Sequence, residues 1–170
     1  ENLVDSRDGK SYTTVQIGIQ CWMAENLNAG EMTVGMLDQW DDGYLSKYCY
    51  EDNESNCDLY GGLYQWGEAM NYGTVEGAQG ICFKGWHVPT DTDFTALSDY
   101  LGGEDTAGGK MKSTGTIEEG TGLWRTPNTG ATNSSGFTAL PAGYRWVNSG
   151  SFLDINRYAM LWSSTVFDQE

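Results

Sequence analysis

Side-chain oxygens recur at Asp52, Glu54, Asn56 and Asp58 in the stretch YCYEDNESNCDLYGGLYQW, which Cys49 and Cys57 bracket and aromatic residues flank. The alternation matches the first half of an EF-hand loop, where oxygens at every second position ring a calcium ion. The match then stops. Cys57 stands where the sharp-turn glycine belongs and Leu63 where the bidentate glutamate belongs, so an EF-hand is excluded. A looser calcium site, drawing in Asp41, Asp42 and Glu51, is one expectation, because a divalent cation relieves the repulsion among clustered carboxylates. The competing expectation is a solvated acidic loop closed by a Cys49–Cys57 bridge, since charge runs are usually solvated faces.

A second group of oxygens, Asn128, Thr129, Asn133 and Ser134, lies in the long polar segment from Ser113 to Gly136. These residues either reach a ligand or, the favoured reading, hold the loop by bonding its own backbone. His87 has apolar neighbours in GWHVPT and no serine or cysteine at a nucleophile elbow, so a structural role is expected of it. With 24 acids in the chain, spacing alone assigns no glycosidase-type carboxylate pair. Aromatic rings stack on sugar faces and anchor protein interfaces at low entropic cost. Trp40, Tyr44, Trp124 and Trp146 are expected at the surface, as candidate ligand contacts with Asn128 and Asn133. Trp22, Trp66, Trp86 and Trp162 are expected in the core.

Placing these side chains requires a scaffold, and 170 residues suffice for one domain, expected over residues 1–170. High aromatic content (13%) and 23 glycines favour short strands and frequent turns over long amphipathic helices. A net charge of −15 makes nucleic acid and anionic lipid poor partners, leaving cations, glycans or proteins. No apolar run reaches the ~20 residues a membrane helix needs, and the first residues lack the regions of a signal peptide. Four cysteines without a CxxC pair, and a single histidine, favour disulfides in an exported protein over a zinc site. Cys49–Cys57 is the local pair, and Cys21–Cys82 the default second one.

Along the chain, Val15, Ile17 and Ile19 alternate as the buried face of a strand, and MAENLN after Trp22 suggests one helical turn. LYQWGEAMNY reads as a short helix. Residues 91–101 read as a better one, with Thr90 and Asp93 as a capping box, Phe94, Leu97 and Leu101 as its stripe and Gly102-Gly103 as its stop. TAGGKMKST suggests a further short helix, and GFTALPAGYRWV and YAMLWSSTVF read as strand-like.

In this order, IQCWMAENLN, YCYEDNESNCDLYGGLYQW, GWHVPTDTDFTALSDYLGG, GATNSSGFTALPAGYR and LWSST closely resemble the Fibrobacter succinogenes major paralogous domain family. The resemblance spans nearly the whole chain and implies an exported bacterial protein of the cell surface, with no established activity. More distantly, WHVPTDTDFTALSDYL is similar to the Pro-Thr-capped helix of formylglycine-generating enzymes. That likeness implies an α+β, C-type-lectin-like fold with two main short helices, short mixed strands and long irregular loops. Those enzymes use a late pair of cysteines with copper. Nothing past Cys82 is a cysteine here, so that chemistry does not carry over. The resemblance also implies strands beyond the WSST motif, the last pairing near Ile17 to Trp22 and offering Cys21 a partner. The chain is therefore expected to lack the family's usual C-terminal strands, which leaves an edge open to complementation by identical subunits or another chain. The functional expectation is a non-enzymatic extracellular binding or adhesion module that recognises a glycan or protein through its loops. The alternative is a structural subunit of a surface filament or other assembly.

Overall fold

A computed structural model of the chain describes residues 2–166. Three short antiparallel strands, β1 (Asn2–Val4), β2 (Ser11–Ile17) and β3 (Gln20–Met23), form a sheet in that order. The β2–β3 register pairs Thr14 with Met23, Val15 with Trp22 and Ile17 with Gln20. A two-residue turn joins them, with Gly18 at a φ of 62°, a conformation that suits glycine at the first position of a tight hairpin. Ile19 occupies the second turn position and is fully exposed, so the alternation Val15, Ile17, Ile19 ends one residue short of the expectation.

After β3, residues 24–29 run without a helix, contrary to the helical turn expected of MAENLN. The asparagines there act as fasteners instead. Asn26 Nδ2 donates to Tyr60 O (2.7 Å), and Asn28 Oδ1 accepts from the buried Lys47 Nζ (2.6 Å). A parallel pair, β4 (Glu31–Met32) and β5 (Ser46–Lys47), brackets the loop that carries Trp40 and Tyr44.

The acidic run is not a loop. It forms a 3-10 turn (Tyr50–Asp52) and then α1 (Glu54–Tyr60), capped by the Asn53 side chain accepting from Ser55 N and closed by the Cys49–Cys57 disulfide. α1 stops at Gly61, where φ is 84° and a Cβ would fall 2.3 Å from that of Asn26, a position only glycine fits. The helix expected of LYQWGEAMNY shrinks to the single turn α2 (Trp66–Ala69).

The best-patterned helix, α3 (Asp91–Tyr100), has the full Thr90–Asp93 capping box and buries Leu97, with Leu101 buried just past its end; Gly102 and Gly103 terminate it. It packs on α4 (Glu104–Met111) and with it supplies one wall of the core, where Ile17, Trp22, Leu97, Leu101, Ala107, Phe137 and Ala139 meet. GFTALPAGYRWV yields only the two-residue β6 (Tyr144–Arg145), which forms a last hairpin with β7 (Phe152–Leu153) beyond it. The described part of YAMLWSSTVF forms no strand, and Phe167 lies outside the described residues. Among the described residues the fold is α+β, as expected, with short strands and four short helices, of which α3 and α4 are the longest. Among the described residues, no helix is long and apolar enough to cross a membrane.

Candidate functional site

A cleft of about 580 Å³ runs beside β3. Gln20, Cys21, Trp22 and Met23 all line it, and Trp86, His87, Asp93, Phe94, Leu161 and Trp162 complete its walls. Trp22 forms part of the floor, with Phe94 and Phe137 at ring centroid distances of 5.4 and 5.7 Å.

The polar wall grows out of the cap of α3. Asp93 Oδ2 accepts from Thr90 N (2.9 Å) and Thr90 Oγ1 (2.7 Å) and meets His87 Nε2 at 3.0 Å. Gln20 Nε2 donates to Asp93 O and Oδ1, while Gln20 Oε1 accepts from Trp22 Nε1. Partial burial works against the Asp93 charge, but the hydrogen bonds from Thr90 and His87 outweigh it and hold the carboxyl at about 2. Asp93 is therefore a fixed anion at neutral pH.

The WSST motif holds the far wall through separate backbone and side-chain bonds rather than as a strand. Buried Ser164 donates from its amide to Pro89 O (2.7 Å), and its Oγ accepts from Gly77 N (3.0 Å). Thr165 Oγ1 accepts from Asp91 N and donates to Glu76, and Ser163 O accepts from Trp66 Nε1. Trp162 is thereby presented to the cleft, with Nε1 donating to Tyr64 O (2.7 Å) and half of its surface exposed. This overturns its expected place in the core; Trp22 is buried, and Trp66 and Trp86 are half-buried.

The other candidate residues are scattered. Trp40, Tyr44 and Trp146 are exposed as expected, at 70%, 80% and 47%, but none lines the cleft. Trp124 is only 7% exposed, with Nε1 donating to Ser113 Oγ and Lys112 Nζ over its ring at 5.2 Å, a correction to its surface assignment. Asn128 and Asn133 bind their own loop. Asn128 Nδ2 donates to Ser113 O and Gly115 O, and Asn133 Oδ1 accepts from Thr138 N.

The oxygens proposed for calcium disperse: Asp41, Asp42 and Asp52 lie outside α1, and Asn56 turns away from the face that Glu54 and Asp58 share at ~100° per residue. Asp52 Oδ1 accepts from Gly35 N, Asn56 Nδ2 donates to Tyr50 O, Asp58 Oδ1 lies 3.5 Å from Asn28 Nδ2, and Asp42 accepts from Trp40 Nε1 and Tyr44 N. Glu54 opens α1, and Asp41 lines a second cavity of about 570 Å³ with Tyr44, Glu68 and Tyr72. Among the described residues, no three His, Cys, Asp or Glu side chains are gathered to hold a metal ion.

Cys49 and Cys57 form the expected bridge, but Cys21 and Cys82 are free thiols that both line the cleft. Cys21 sits exposed on β3, whereas burial pushes the Cys82 thiol up to about 11, where it stays protonated at neutral pH.

The model of the Fibrobacter succinogenes major domain matches residues 15–170. The chain belongs to that family. Its matched span takes in β3, the Trp86–Asp93 turn and the WSST motif, so the whole lining of the cleft lies within the family domain. No curated protein and no solved structure matches the chain.

Proposed function

We propose that this domain of the Fibrobacter succinogenes major family is a non-enzymatic, extracellular binding module on a C-type-lectin-like scaffold, and that its ligand seats in the cleft beside β3. The observation that carries the reading is the joint presentation of the Trp86 and Trp162 indoles and the Gln20–Asp93–His87 line in one concave apolar surface. Apolar clefts with a few convergent polar groups are the usual form of ligand sites. Rings held by their own N–H groups, as Trp162 is by Tyr64, contribute contact area without losing side-chain entropy on binding. The polar groups are engaged in holding α3 and β3, which favours recognition over proton transfer. The disulfide fits an exported location.

A panel of oligosaccharides and peptides tests this by intrinsic fluorescence. Ligands of the cleft are expected to shift the emission of the wild-type chain, with affinity falling at least tenfold in Trp162→Ala and unchanged in Trp40→Ala. Equal binding by both variants would refute the cleft. The second reading, a subunit of a surface assembly completed by a neighbouring chain, is favoured by one observation: among the described residues β3 is the edge strand of its sheet, paired with β2.

A further inference from the structure

We propose that Lys47 and Asn28 join, with loss of ammonia, into an internal amide cross-link, and that the Asp58 carboxylate relays the proton. Both partners are buried, Lys47 at 3% and Asn28 at 8% exposure. Lys47 Nζ lies 2.6 Å from Asn28 Oδ1, which puts Asn28 Cγ at most about 3.8 Å from the amine, a C=O bond being about 1.2 Å long. The backbone holds each side chain in place. Asn28 N donates to Tyr12 Oη (3.1 Å), and Lys47 is fixed in β5, where its carbonyl accepts from Thr33 N (2.8 Å). Holding two reactants in this way converts an encounter into a step within one molecule.

A lysine this deep is almost always paired with a carboxylate. Among the described residues Lys47 has no ion pair, and its ammonium, with three donors to satisfy, meets Asn28 Oδ1 alone. Lys10 Nζ donates to the backbone carbonyl of the same Asn28 (2.7 Å), so two cations crowd one residue. Burial first, and then the neighbouring Lys10, push the Lys47 amine below the ordinary lysine range against the opposing pull of Glu54 and Asp58. The free base so favoured is the nucleophilic form.

The carboxylate comes from α1, which is capped by Asn53 and stapled at Cys57. Asp58 Oδ1 lies 3.5 Å from Asn28 Nδ2, on the group that must leave. The amine attacks Cγ, so that the Nζ–Cγ bond forms as the Cγ–Nδ2 bond breaks. The proton that Nζ sheds passes through the Asp58 carboxylate to Nδ2, which departs as ammonia, and the carboxylate is returned unchanged. The balance needs no oxidant, and a buried charge becomes a neutral amide. The product ties β5 to the segment after β3 and closes the loop that carries Trp40 and Tyr44, a second covalent tie in addition to the disulfide.

The test is the intact mass of the full chain after folding, reduction and denaturation, followed by sequencing of its proteolytic fragments. The wild type is expected to weigh less than its sequence by one ammonia, about 17 Da, with Asn28 and Lys47 in one branched fragment. Asp58→Ala, at an exposed helix position, should slow the loss at least tenfold, and Lys47→Arg should abolish it. A folded wild-type chain that keeps its full sequence mass after prolonged incubation overturns the proposal. So does an ammonia loss traced to a succinimide at Asn28 with Lys47 unmodified. Asp58→Ala closing as fast as the wild type overturns the assignment of Asp58. If Lys47→Arg misfolds, the branched fragment and the Asp58→Ala rate carry the test.

Discussion

Asp93 serves three neighbours at once: the backbone and hydroxyl of Thr90, the ring of His87 and the amide of Gln20. Its carboxyl titrates at about 2 in the folded chain against ~3.9 in the unfolded one. The unfolded chain therefore takes up the proton first as pH falls. The stabilisation is complete above about pH 4 and is lost between about 4 and 2. Asp93→Asn is expected to cost about 1 kcal/mol at pH 7, the usual worth of a helix cap, and to flatten the stability profile below pH 4. Urea unfolding at several pH values checks this, and an unchanged acid limb would show that Asp93 is not the group responsible. Two tryptophans, the unexpectedly buried Trp124 and the exposed Trp40, make a second residue-scale test. Trp124→Ala should destabilise by about 3–5 kcal/mol, and Trp40→Ala by less than ~0.5 kcal/mol, read from denaturant midpoints.

At the scale of elements, α3 was legible because its information is local: a capping box, a 3.6-residue stripe and a double glycine all lie within fourteen residues. α1 was missed because both readings of the acidic run, a looser calcium site and a solvated loop closed by the Cys49–Cys57 bridge, were loops, whereas the Asn53 cap decides for a helix. The WSST segment looks like a strand, yet its serines and threonine bond to Gly77, Pro89 and Asp91, far away in sequence. Such long-range polar ties leave no period to read, so neither the exposed Trp162 nor the cleft could be foreseen from patterning. The side-chain amides of Asn128 and Asn133 hold their own loop, as the loop-holding reading anticipated. Replacing both Cys49 and Cys57 by alanine is expected to cost about 2.5 kcal/mol, the chain-entropy worth of closing so short a loop. A thermal scan with and without reductant should show the same loss in the wild type and none in the double variant.

Over the whole molecule, a net charge of −15 on 170 residues opposes compaction. Raising sodium chloride from 20 mM to 0.5 M should screen that repulsion and lift Tm by about 3 °C, roughly 1 kcal/mol for a domain of this size. The same field favours a cationic partner, and the cleft concentrates the apolar surface such a partner would cover. Tryptophan indole N–H resonances of the isotope-labelled chain, followed while a ligand from the oligosaccharide and peptide panel is added, test the cleft most directly. Trp86 and Trp162 are predicted to shift together and saturably while Trp40 and Trp146 stay in place; movement of Trp40 or Trp146, with Trp86 and Trp162 unmoved, would contradict it.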